Sequence, residues 1–213
     1  MTMRRFIILS VAVLANCALC GAGVRDSLFI DGEWTACAVP SDTEKAVGYA
    51  VNASDGAVDG RRVILPGSAD ENRLGARNPD TLNTSGLTRL YPFEGRAVYS
   101  RKVRIPRSFA HRRLRLVLER TKPSTLYVDE DSVGTLGNIL SPQVYELPAI
   151  SPGSHVISLA VDNSPSAVPS GIHSSHAWSD ATQTNWNVVI GKMFIESADS
   201  VFISSVKISP SVA

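Results

Sequence analysis

The chain has 213 residues, 44% hydrophobic and 19% charged, with 21 basic against 20 acidic side chains. That length builds one large domain with a real core, or two small ones, and falls short of a (β/α)₈ barrel with a companion, since such a barrel alone takes about 250 residues. The even charge excludes a nucleic-acid binder driven by counterion release, and the apolar content excludes a disordered chain.

Residues 1–22 read as an export signal. Arg4 and Arg5 precede the uncharged apolar run Phe6 to Ala15, and Ala18 to Gly23 supplies small residues for cleavage. A signal anchor is the competing reading, although Asn16, Gly21 and Gly23 weaken a spanning helix, which needs about 20 predominantly apolar residues. Leu14-Ala15-Asn16-Cys17 is similar to a bacterial lipoprotein box except at Asn16, so a lipid anchor stays open. Cys17 and Cys20 lie in the signal; the mature domain keeps Cys37 alone and forms no internal disulfide. Removing the signal takes two arginines and no acid from the 21 basic and 20 acidic residues, a mature net charge of −1. The expected location is periplasmic, extracellular or on the outer surface, with membrane contact only through the signal or a lipid.

The next element is the one credible helix. Ser41-Asp42-Thr43-Glu44 fits a capping box ahead of Lys45 to Ala50, and Gly48 with Asn52-Ala53-Ser54-Asp55-Gly56 ends it. Residues 66–96 hold Pro, Gly, Asn and Asp throughout without a period, which predicts a long loop. Strands follow. Leu114, Leu116 and Leu118 alternate with Arg115, Val117 and Glu119, and Ile157, Leu159 and Val161 repeat the pattern. Val98 to Ile105, Leu126 to Val128, Val188 to Glu196 and Val201 to Ile208 are further short runs rich in Val, Ile, Tyr and Phe. Pro106, Pro123, Pro142, Pro148, Pro152 and Pro210 punctuate these runs where a missing donor does little harm. The pattern predicts an all-β antiparallel sandwich or jelly roll over residues 26–210.

Standard catalytic signatures are missing. Gly191-Lys192 lacks the upstream glycine and the following hydroxyl of a phosphate loop, and there is no Gly-x-Ser-x-Gly elbow. His173-Ser174-Ser175-His176 lacks the acid of a zinc helix and reads as surface loop. Arg112, Arg113 and Arg115 read as a solvated strand face, and Asp129-Glu130-Asp131 as a hairpin tip with too few oxygens for calcium. No metal or cofactor is expected. The segment His176 to Lys192 differs: Trp178 and Trp186 sit among neutral amides and hydroxyls. Sugars offer apolar C–H faces and rings of hydroxyls, so aromatic platforms beside planar amides suit them. Two buried core anchors explain the same composition equally well.

Within that segment, Asp180-Ala181-Thr182-Gln183-Thr184-Asn185-Trp186-Asn187 followed by Ile190-Gly191-Lys192 resembles a motif in the N-terminal domain of family 2 glycoside hydrolases, and most resembles the β-galactosidase-like members. Ile30-Asp31-Gly32-Glu33-Trp34 resembles that domain's opening strand, and Leu65-Pro66-Gly67-Ser68-Ala69-Asp70-Glu71-Asn72 its next loop. Leu87 to Gly95 leading into Val98-Tyr99-Ser100-Arg101, then Leu118 to Pro123 and Val161-Asp162-Asn163, follow in family order. The resemblance implies a galactose-binding-domain-like jelly roll whose Asp180, Gln183, Asn185, Trp186 and Asn187 line a sugar site, with Asp70, Glu71 and Asn72 as weaker candidates. It also implies no catalysis by this chain, because the family's two catalytic glutamates come from a following barrel and match nothing here. Two positions depart from the pattern: Val188 and Glu130 each stand where glycine is expected.

Three functions compete. The first is a non-catalytic accessory domain of a family 2 glycosidase-like protein, truncated before its catalytic barrel. The second is a stand-alone exported glycan-binding module. The third, least favoured, is an independent hydrolase using Asp70, Glu71, Glu94 or Asp180. The expected partners are a carbohydrate, β-galactoside-like or a plant or host glycan, and a catalytic barrel in cis or trans; nucleic acid is not among them.

Overall fold

In the computed structural model the described residues are 25–39, 60–80, 89–173, 186–203 and 206–210. The export signal and the capped helix expected at 41–50 lie outside them. Ten strands follow one another: β1 (Asp26–Phe29), β2 (Gly32–Val39), β3 (Arg61–Leu65), β4 (Arg96–Ile105), β5 (Arg113–Thr121), β6 (Ser124–Val128), β7 (Asp131–Leu136), β8 (Gln143–Glu146), β9 (Gly153–Asp162) and β10 (Val189–Ala198). They form a four-stranded sheet, β1-β10-β5-β8, and a six-stranded sheet, β3-β2-β4-β9-β6-β7. Every pairing is antiparallel, giving a jelly-roll β-sandwich.

Side-chain alternation explains why the two sheets face each other. Leu114, Leu116 and Leu118 of β5 meet Ile157, Leu159 and Val161 of β9 in one buried cluster with Trp34, Tyr99, Met193 and Ile195. Each fully buried large aliphatic side chain contributes about 1.5–3 kcal/mol. The tip between β6 and β7 turns at Asp129 (φ 50°) and Glu130 (φ 78°), the two left-handed positions of a two-residue hairpin. Glu130 therefore occupies a conformation glycine would adopt freely.

Two expectations fail for physical reasons. Ile30 to Trp34 is not one opening strand: β1 belongs to one sheet and β2 to the other, and Ile30-Asp31 is the crossing between them. Arg101 fastens that crossing by donating from Nη1 to the Ile30 carbonyl at 2.9 Å. Val201 to Ile208 has strand-like alternation yet forms no strand among the described residues, and Val201 and Ile208 stand 85% and 83% exposed. It follows β10, whose two sides are already occupied by β1 and β5, so it cannot pair with the strand it continues from. Phe202 instead turns back under three guanidiniums, those of Arg25, Arg113 and Arg115, at 5.1, 5.3 and 5.2 Å from its ring centroid.

The long loop expected at 66–96 is held as two facing stretches. Asn78 donates its backbone N–H to the Leu90 carbonyl at 2.7 Å, and Gly75 lies so close that a Cβ there would sit 1.8 Å from the Pro92 carbonyl oxygen. We expect Gly75→Ala to force the stretches apart and cost about 1–3 kcal/mol. Gly137→Ala, where a Cβ meets nothing within 4 Å, is the control and should leave the urea midpoint within error of the parent.

Candidate functional site

The described ends of the β3–β4 connection (89–95) and of the β9–β10 connection (163–173 and 186–188) meet at one buried amide. Asn187 is fully buried. Its Oδ1 accepts from the Tyr99 hydroxyl at 2.7 Å, while its Nδ2 donates to the Gly95 carbonyl at 3.0 Å and faces the Val161 carbonyl at 3.4 Å and Asn163 Oδ1 at 3.3 Å. Asn163, equally buried, donates to the Phe93 carbonyl at 2.8 Å and accepts from the Gly95 N–H at 2.9 Å. Burial pushes the Tyr99 phenol well above its usual range, so it remains a donor.

Trp186 is half-buried beside this network. The Lys122 ammonium, carried at the turn between β5 and β6 and itself fully buried, lies 4.8 Å from the Trp186 ring centroid. A cation over one face of an indole fixes the ring's orientation. Next in the chain, Val188 adopts φ +92° while 1% exposed, and its carbonyl accepts from Thr121 Oγ1 at 3.0 Å. A β-branched residue there carries about 1–3 kcal/mol of strain. The backbone thus keeps the conformation natural to glycine although the residue is valine.

The residues expected at a sugar site divide sharply. Asp180, Gln183 and Asn185 lie outside the described residues. The amide of Asn187 does not face a ligand: each of its polar atoms is already engaged inside the protein. Asp70, Glu71 and Asn72 likewise serve their own loop. Glu71 Oε2 accepts from the Ser68 N–H and hydroxyl at 2.7 and 2.9 Å, and the Ser68 hydroxyl accepts from the Glu71 N–H at 3.2 Å. The bond from the Ser68 backbone, then that from its hydroxyl, holds the Glu71 carboxyl below its usual range. Asn72 bridges Ile64 and Ser68 through both ends of its amide, and Asp70 accepts from the Tyr91 N–H. Glu94 is exposed. Of the described candidates, Trp186 is the aromatic one, and it is half-buried.

Three residues that matter here were not singled out as site residues from sequence. Lys122, Tyr99 and Asn163 each sit inside a quoted motif block, but nothing in one sequence says that such blocks meet in space. The other candidates have ordinary roles. His173 Nε2 lies 2.7 Å from the Val168 carbonyl. The arginine cluster is paired: Arg112 with Asp26 and Asp199, Arg113 with Glu146, and Arg115 with Glu196. Among the described residues no three His, Cys, Asp or Glu side chains converge as a metal site.

No family model and no curated protein matches this sequence. Solved structures do. The β-glucuronidase of Faecalibacterium prausnitzii superposes with a TM-score of 0.56 at 16% identity, over 83% of this chain and 32% of that one. That of Bifidobacterium dentium, complexed with coumarin-3-O-glucuronide, gives 0.55 at 18% identity, over 83% and 30%. A calcium-binding mutant of Bacteroides uniformis β-glucuronidase 2 gives 0.58 at 14% identity, over 83% and 18%. The chain therefore spans a third or less of these enzymes, and what it shares with them is the fold of one jelly-roll portion.

Proposed function

We propose that the chain is a non-catalytic, carbohydrate-binding accessory domain of a family 2 glycoside hydrolase-like protein, exported and acting beside a catalytic domain. The observation that carries this reading is Trp186: a half-buried indole, oriented by Lys122, on a connection tied down by Asn187. An indole face gives a sugar's C–H surface an apolar wall, and hydroxyl selection then falls to polar groups around it. Asp180, Gln183 and Asn185, six residues or fewer before Trp186 in the chain, are assigned that task. The β-galactosidase-like assignment rests on the motifs alone; the structural neighbours are glucuronidases.

A second feature favours an accessory domain over a stand-alone module. On the outer face of the four-stranded sheet, Phe29, Phe194, Val117 and Val144 are direct cross-strand partners in one apolar row spanning all four strands. Phe29 and Val144 are 55% and 41% exposed. Charged Glu196, Arg115 and Glu146 form the adjacent row. Continuous apolar rows on a sheet face suit burial against another folded unit. Independent hydrolysis is disfavoured, because retaining chemistry needs two free carboxyls about 5 Å apart, and Asp70 and Glu71 are both engaged by their own loop.

The test is glycan-array binding by the full chain. Trp186→Ala should weaken binding at least tenfold, about 1.4 kcal/mol, while still unfolding cooperatively. Asn187→Ala should instead lose about 1–3 kcal/mol of stability, because it strands the buried Tyr99 hydroxyl. Undiminished binding by Trp186→Ala, or hydrolysis of chromogenic glycosides by pure protein, would overturn the proposal.

A further inference from the structure

At the end of the sandwich away from Trp186, His155 near the start of β9 touches two other segments at once. Its Nδ1 lies 2.5 Å from Asp129 Oδ2 at the β6–β7 tip, and its Nε2 lies 2.8 Å from the Ser151 carbonyl in the 147–152 loop. A carboxylate and a carbonyl only accept hydrogen bonds, whereas a neutral imidazole carries a single N–H. Both contacts are satisfied together only when the ring carries both protons. In the neutral ring, one nitrogen lone pair must face an oxygen lone pair.

We propose that His155 is a proton-operated latch: charged, it ties the β6–β7 tip and the 147–152 loop to β9, and on losing its proton it releases one of them. The tip depends on this tie. Asp129 and Glu130 both hold left-handed backbone at φ 50° and 78°. Asp129 is also stitched to Val156, accepting its N–H on Oδ1 at 2.7 Å and donating its own N–H to the Val156 carbonyl at 2.9 Å. One carboxylate therefore serves the ring with one oxygen and the strand with the other, so a change at the ring reaches the backbone of the tip.

The surrounding charges leave Asp129 as the group in contact. Glu130 and Asp131 share the tip and are exposed, adding negative potential of the same sign. On β4, apolar Val103 stands opposite His155, while Lys102 and Arg104 pair with Val156 and Ser154 and so alternate to the other face. The loop Leu147 to Pro152 has no ionisable side chain. Burial alone, the largest single influence, lowers the His155 pKa. The hydrogen bonds to Asp129 and Ser151 and the Asp129 charge together outweigh it, leaving the pKa above its usual value. A histidine whose folded pKa is raised contributes stability that is full below its unfolded value, about 6.5, and is lost as pH rises through the folded value.

The full chain contains four histidines, few enough to follow singly by NMR. The ring resonance assigned to His155, absent in His155→Gln, should titrate above the ordinary midpoint, and Asp129→Asn should lower that midpoint by about 1 pH unit. Hydrogen-exchange protection of the Asp129 and Val156 amides, corrected for intrinsic rates, should fall between pH 6 and pH 8 in the parent and stay flat in His155→Gln. A His155 midpoint at or below the ordinary value, or flat protection in the parent, overturns the latch. If either variant fails to fold, the sequentially assigned parent titration and exchange profile decide alone.

Discussion

The buried carboxamide of Asn187 is the interaction on which the end of the sandwich that carries Trp186 depends. Two connections separated by some 90 residues in sequence meet at its side chain: Gly95 from one, Asn163 and Asn187 from the other, with Tyr99 of β4 beneath. Inside a protein an unsatisfied amide is costly, so a fully engaged one specifies a single arrangement of both loops. That constraint fixes where Trp186 stands, one residue earlier, and makes the strained backbone at Val188 tolerable one residue later. A β-branched side chain at φ +92° persists only where its neighbours over-determine it. Here they do, through Thr121 on its carbonyl and burial of the side chain itself.

The long strands of the sandwich were legible in the sequence because alternation and burial are the same fact on a two-layer fold. Leu114-Leu116-Leu118 and Ile157-Leu159-Val161 each present one apolar face, and both faces lie in the same buried cluster. The short strands β3 and β8, of 5 and 4 residues, are not among the runs read from the sequence. The segment from Val201 shows the converse failure: alternation states that a segment can pair, not that an edge is free. With both sides of β10 taken, Phe202 finds its burial among arginines that also neutralise Glu146 and Glu196.

Of the candidate site, the described residues show their internal hydrogen bonds, which the sequence does not reveal. Polar residues beside an aromatic describe a sugar pocket and a self-bracing loop equally well, and sequence cannot say which way an amide points. Asp70, Glu71, Asn72 and Asn187 make hydrogen bonds that brace the loops, and Trp186 stands half-buried against the buried Lys122. Lys122 illustrates the missing information: a lysine beside a proline at a strand end reads as exposed, yet the turn buries it fully against the indole. The likeness to one portion of bacterial β-glucuronidases is a likeness of fold.

The most direct test is to follow indole N–H resonances while the chain is titrated with oligosaccharides. Trp34 is a built-in reference, since its Nε1 donates to the Ile30 carbonyl at 3.0 Å and the residue is 1% exposed. The account predicts saturable movement of the Trp186 resonance with Trp34 unchanged. A Trp186 resonance that stays fixed with every glycan class, or one that moves only together with Trp34, would contradict it.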